Sequence, residues 1–293
     1  NNEYASNLLR INALLKQKEA ALGLLQVAVS QDSNPGLLET LSMWSQARDV
    51  YKVKYEQNPK NETFLTGFLK CSMHLEDWES IEKYIDDFPT YSQDMKLKVA
   101  MIFATAVRNT GDDPTEFLKV IKIDDPMTCM LHAIVSIDQN KLDDAMSWIR
   151  HGLALTCLDM SCFSSGSYEP AIPTICLALN FQELNDIIDQ RKGKKTSEQV
   201  LAIWKAKSKD YIKRDATQLR YVCQLRELLQ WSDEQLITFH IDFVDSLRKL
   251  KEWTLFDHSF KRLFKDCNDE RVKLMKAKFQ FDRGITKDLS EFE

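Results

Sequence analysis

Two stretches decide how this 293-residue chain is read: "LSMWSQARDVYKVKYEQNP" (41–59) and its echo "MHLEDWESIEKYIDDFP" (73–89). Trp44 and Trp78 stand 34 residues apart, each opens an apolar stripe at i, i+3 and i+7, and each stretch closes on a proline. Three-then-four spacing puts Trp44, Ala47 and Tyr51 on one face of a helix, and Trp78, Ile81 and Ile85 on one face of another. The triplet returns as Leu142, Ala145, Ile149, then as Phe181, Leu184, Ile188, and again as Trp253, Phe256, Phe260. These fifteen residues are the expected structural repeat core. Successive triplets start 34, 64, 39 and 72 residues apart. A period that drifts around one or two units of about 32–39 residues is the mark of a degenerate array of helical hairpins.

The punctuation between triplets agrees. "QDSNPG" (31–36), "QNPKN" (57–61), "DDFPT" (86–90), "TGDDP" (110–114), "SSGSYEPAIP" (164–173), "RKGKKTSE" (191–198) and "DCNDE" (266–270) all break a helical pattern. Capping boxes are expected at Thr90 with Gln93, Thr196 with Gln199 and Ser232 with Gln235. Asp113-Pro114 and Asp125-Pro126 pair an N-cap residue with a proline suited to the first helical position. Period-two alternation bounded by turn residues is missing. The expected fold is all-α: an irregular α-solenoid of about twelve to fourteen helices in antiparallel pairs, whose faces are buried only by stacking on neighbours. Residues 1–293 are read as a single helical-repeat domain, a fragment of a larger chain because it starts without Met, with any subdivision near 191–198.

Composition narrows the function classes. At 44% hydrophobic and 28% charged the chain is globular, and 8 Gly and 7 Pro are few for a turn-rich β protein. A net charge of -5 spread along the chain gives no stripe for nucleic acid, so no direct nucleic-acid binding is expected. The longest near-apolar run, "VAMIFATAV" (99–107), is too short for a membrane span. Seven Cys, an odd number without C-x-x-C, read as buried thiols of a reducing compartment, cytoplasmic or nuclear. Cys157 and Cys162 are the closest pair and lack two further ligands at zinc spacing, so no metal site is expected. Glycine-rich phosphate loops, H-E-x-x-H and nucleophile elbows are missing, so no catalytic residue is expected in this segment.

One constellation stands out. Lys205, Lys209, Lys213 and Arg220 fall within about 80° of arc on a helical wheel, beside Trp204. A solvated, salt-bridged face is one reading; a polyphosphate or anion face is the other.

Several segments, in order, resemble the FAT domain of the phosphatidylinositol-3-kinase-related protein kinases. They are "LLKQKEAALGLLQVA" (14–28), "MWSQARDVYKVKYEQNP" (43–59), "GFLKCSMHLEDWESIEKY" (67–84) and "MLHAIVSIDQNKLDDAMSWI" (130–149). "SYEPAIPTICLALNFQELNDII" (167–188) and "AIWKAKSKDYIKRDATQLRYVCQLRELL" (202–229) complete the set. The TOR version is the most similar. "MKAKFQFDRG" (275–284) looks more like ATR- and ATM-type kinases, and Leu37-Leu38-Glu39 stands where TOR has Trp-Tyr-Glu.

The resemblance implies a TPR-like solenoid that is not itself catalytic. It would clamp and regulate the kinase domain of its own chain, carry regulatory subunits or a homodimer partner, and belong to a Ser/Thr protein kinase. The same scaffold in an ATR/ATM-type DNA-damage checkpoint kinase, or a free-standing TPR-type adaptor, are the alternatives. The basic face falls near the region where TOR-type FAT domains hold inositol hexakisphosphate, without a residue-by-residue match to those ligands.

Overall fold

The computed structural model describes residues 7–8, 11–12, 35–123, 125–161, 171–207, 216–265 and 267–284. Among them the chain is all-α, with fourteen α-helices, one short 3-10 turn and no strand. It forms two compact units, residues 1–120 and 121–293. The loop at 191–198 lies inside the second unit. The segment at 14–28 falls outside the described residues.

The first unit holds α1 (Pro35–Thr40), α2 (Trp44–Gln57), α3 (Glu62–His74), α4 (Trp78–Glu82), the 3-10 turn Phe88–Thr90, α5 (Gln93–Thr110) and α6 (Thr115–Leu118). The second holds α7 (Pro126–Asp138), α8 (Leu142–Ser161), α9 (Ile172–Arg191), α10 (Ser197–Lys207), α11 (Ala216–Arg226), α12 (Asp233–Lys249), α13 (Trp253–Leu263) and α14 (Glu270–Asp282). Neighbours in sequence are neighbours in space: α2 packs on α3, α7 on α8, α8 on α9 and α12 on α13.

Four of the helix pairs are joined by one device. Ser42, Glu76, Asn140 and Lys251 have φ of 57°, 55°, 58° and 60°. At each, the next residue's amide returns to the carbonyl five residues back: Met43 to Leu38 (2.9 Å), Asp77 to Ser72 (2.9 Å), Lys141 to Ser136 (2.8 Å) and Glu252 to Leu247 (3.1 Å). The left-handed residue's own amide donates three back, as Lys251 does to Arg248 at 3.0 Å. This is the Schellman closure, which satisfies carbonyls that a helix end would otherwise leave orphaned. The following helix starts two residues after the left-handed one, at Trp44, Trp78, Leu142 and Trp253. Four of the five sequence triplets therefore begin at the first residue after such a turn.

In every triplet the middle residue is sealed. Ala47, Ile81, Ala145, Leu184 and Phe256 are 0–1% exposed. The first and last residues vary: Phe181 and Ile188 are buried, whereas Trp44, Leu142, Trp253 and Phe260 are half-buried. Trp44 lies flat on His74, ring centroids 3.7 Å apart. Two departures have local causes. Helix α4 stops at Glu82, so Ile85 sits in the turns that follow and does not share a helical face with Trp78. The Thr90–Gln93 capping box does not form, because Thr90 donates to the Asp87 carbonyl (2.6 Å) and Ser92 caps α5 by accepting from the Met95 amide (3.2 Å). The boxes at Thr196–Gln199 and Ser232–Gln235 are both closed reciprocally, and Asp125 caps α7 by accepting from Met127. Asp113 accepts from the Thr115 amide at 3.1 Å, ahead of the short α6.

Glycines permit two close helix approaches. A Cβ on Gly67 would lie 2.4 Å from the Tyr51 ring, and one on Gly152 would lie 2.2 Å from the Phe181 ring. Tyr51 is fixed further by donating to Glu39, whose second oxygen accepts from Lys70 at 2.6 Å, so α1, α2 and α3 share one polar knot. Burial, with Glu39 nearby, pushes the Cys71 thiol up to about 12, which keeps it a neutral packing group. Behind it, Phe88, Phe103 and Phe117 meet edge to face with centroids 5.0–5.8 Å apart, the geometry that aromatic quadrupoles favour.

Three outcomes follow from this packing. Lys251→Gly should raise the urea midpoint by the equivalent of about 0.5–1 kcal/mol: relief of the left-handed strain is worth roughly 1–2 kcal/mol, partly offset by glycine's extra chain entropy. An unchanged midpoint would remove the strain assignment. Gly152→Ala should destabilise by about 1–3 kcal/mol through overpacking, and Phe181→Leu in the same chain should restore part of it in a thermal melt. His132, stacked on Trp148 at 4.4 Å, has a pKa pushed below its ordinary 6.5 by burial. The unfolded chain therefore takes up this proton first as pH falls. Stability is full above pH 6.5 and declines below it, and His132→Phe should flatten that part of a stability–pH curve.

Candidate functional site

A polar interior of the second unit gathers around the C-terminal end of α11. This helix stands between two apolar clusters. Leu225, with Leu228 and Leu229 just beyond it, packs with Ile149, Phe181, Leu184 and Trp204. Leu219 and Cys223, from the same helix, pack with Phe243, Leu247, Phe256 and Phe279.

Adjacent residues of opposite charge end the helix and reach opposite ways. Arg226 makes a two-pronged pair with Glu183 of α9, at 3.1 and 2.7 Å, and its guanidinium lies 4.9 Å over the Trp204 ring. Both charged side chains are largely buried, which makes two parallel charge-assisted bonds the arrangement that offsets their desolvation. The indole N–H of Trp204 donates to Asp186 at 3.2 Å, and Lys195 closes the chain at 2.8 Å from Asp186 and 3.0 Å from Asp189. The bond to Asp186 is the main reason the Lys195 ammonium is held above its ordinary pKa.

Glu227 faces the other cluster. Arg262 of α13 bonds both its oxygens at 3.1 and 3.2 Å. His240 Nε2 of α12 lies 3.5 Å from one oxygen, and Cys223 Sγ lies 3.6 Å from the same oxygen. Burial pushes the Glu227 carboxyl up, but Arg262 and His240 outweigh it and hold the group down at about 2. The donor atoms of Cys223, Glu227 and His240 all lie within 4.8 Å of one another.

The segment after α11 is bolted to its neighbours as well. Arg191 donates to the Leu228 carbonyl (2.9 Å), Ser197 to the Gln230 carbonyl (2.7 Å), and Trp231 to the Arg226 carbonyl (2.6 Å). Trp231 and Phe239 then stack, centroids 5.0 Å apart. A groove with a cavity volume of about 760 Å³ runs between α10, α11 and α12, with Leu201, Leu219, Val222 and Phe239 on its walls and Lys205, Glu234 and Asp242 also lining it.

Of the four cations in the basic face expected from sequence, Lys205 and Arg220 are described, and they have different surroundings. Lys205 is exposed and lines the groove, while Arg220 is 1% exposed with its guanidinium 4.4 Å over the Tyr221 ring. The wheel's expectation of a shared solvent face does not hold for Arg220, because α11 turns that side chain into the interior. Lys209 and Lys213 lie outside the described residues. The Cys223–Glu227–His240 cluster was not read from the sequence. Its only local signal is Cys-x-x-x-Glu, which places two donors on one helical face; the histidine comes from another helix. Among the described residues no helix is long and apolar enough to cross a membrane.

A double-mutant cycle on Glu183→Gln and Arg226→Met tests the buried pair. Each single change should cost about 3–5 kcal/mol, because it strands a buried charge. The double change should cost less than the sum of the two by more than about 1 kcal/mol, as measured by chemical denaturation.

No protein-family model matches the chain. It is similar to the serine/threonine-protein kinase tor1 of Schizosaccharomyces pombe, 24% identical over 194 residues that make up 64% of this chain. The matched region is 8% of the length of that kinase.

Proposed function

We propose that this chain is a non-catalytic helical scaffold segment of a TOR-like Ser/Thr protein kinase of the phosphatidylinositol-3-kinase-related class. The observation that carries the reading is the distant similarity to tor1 over 194 residues, on a chain that folds as stacked helical hairpins. In this role the segment clamps the kinase domain of its own polypeptide and carries regulatory subunits or a second copy. Its work is mechanical: stacked hairpins that contact only their neighbours bend as a unit, so a partner docked at one place biases the conformation of another. The same scaffold in an ATR/ATM-type kinase would use the same physics.

Two measurements test this. The complete reading frame should encode a protein kinase domain on the C-terminal side of Glu293. The purified full-length protein should phosphorylate a Ser/Thr peptide, and deletion of 126–282 should change that activity several-fold. A complete frame without a kinase domain leaves the adaptor reading instead, and a full-length kinase indifferent to the deletion removes the regulatory role.

A further inference from the structure

Cys223 and Glu227 are four residues apart at the end of α11, so thiol and carboxylate share a face, and α12 supplies His240 opposite them. In a tetrahedral zinc site, metal–donor bonds of about 2.0–2.3 Å put the donor atoms roughly 3.3–3.7 Å apart. Two of the three separations already have that value: 3.5 Å from His240 Nε2 to Glu227, and 3.6 Å from Cys223 Sγ to the same oxygen. The third is within 4.8 Å. His240 Nε2 is buried and makes no hydrogen bond of good geometry, its contact being the Glu227 oxygen 3.5 Å away.

We propose that Cys223, Glu227 and His240 form a three-ligand site for a divalent transition metal, with zinc the ion best suited to it. One sulfur, one imidazole nitrogen and one carboxylate oxygen are the donors a borderline-soft ion accepts, whereas calcium and magnesium prefer an all-oxygen shell. On binding, the Cys223 S–H proton leaves to solvent and a sulfur–metal bond forms. Thiolate and carboxylate then set two negative charges against the two of the ion and the one of Arg262, which leaves the occupied site with one net positive charge. Arg262, already bonded to both oxygens of Glu227, takes the place of the outer-shell donor that orients a ligating carboxylate. Cys223 also lines the groove between α10, α11 and α12, so the thiol end of the cluster borders that groove.

The reduced full chain is titrated with Co2+. One equivalent should produce a sulfur-to-cobalt charge-transfer absorption, and Zn2+ should remove it by displacement. Cys223→Ser should abolish the absorption, and His240→Ala should weaken the apparent affinity by more than about tenfold. X-ray absorption at the zinc edge of the wild-type chain needs no variant, and should show one sulfur at about 2.3 Å with nitrogen and oxygen at about 2.0–2.2 Å. A wild-type chain with no cobalt charge-transfer band overturns the proposal. So does a band undiminished in a folded Cys223→Ser chain, or a zinc shell without sulfur.

Discussion

The hydrogen bond that runs back five residues at Met43, Asp77, Lys141 and Glu252 sets the terms for everything around it. It ends one helix, fixes a single residue in the left-handed region, and leaves so little chain that the next helix must start at once and run back along the first. A two-residue link allows almost no latitude in how the pair docks. The first residue of the second helix is then held near the end of its partner, and the position three further on is pressed into the interface. This is why the middle residue of each triplet that follows such a turn is sealed whatever its size, from Ala47 to Phe256, while the residues flanking it vary in burial.

Where the turns fix direction, small residues fix distance. Tyr51 and Phe181 each take the space a glycine leaves on the neighbouring helix, one in each unit. Phe181 belongs to the triplet that does not follow a tight turn, because it lies in the middle of α9. The notch at Gly152 does for that helix what the turn does for the others: it holds one contact in register.

Much of this was legible in sequence because it is local. Apolar spacing, the Thr196 and Ser232 boxes and the Asp125-Pro126 start are short-range signals, and each has its counterpart in a helix face or a cap. The turns themselves were not legible. Left-handed backbone usually announces itself as glycine, and here Ser42, Glu76, Asn140 and Lys251 adopt it, held by bonds whose partners carry no sequence signature. Thr90 was misjudged because two hydroxyls, at 90 and 92, competed for one cap. The helical wheel failed at Arg220 because a wheel assigns angles without saying which arc meets solvent. The interior polar site was invisible for a further reason: Glu183 and Arg226 are 43 positions apart, and only the packing of α9 against α11 joins them.

Helix α11 belongs to two apolar clusters at once, with Arg226 fastened into one and Glu227 into the other. Neither cluster can open without disturbing the helix they share. The two therefore form one cooperative opening unit, in which amide protons deep in α9 and α12 exchange with solvent through the same rare event. Slow exchange on one side of α11 is then inherited by the other, and a ligand that steadies either cluster protects the amides of both.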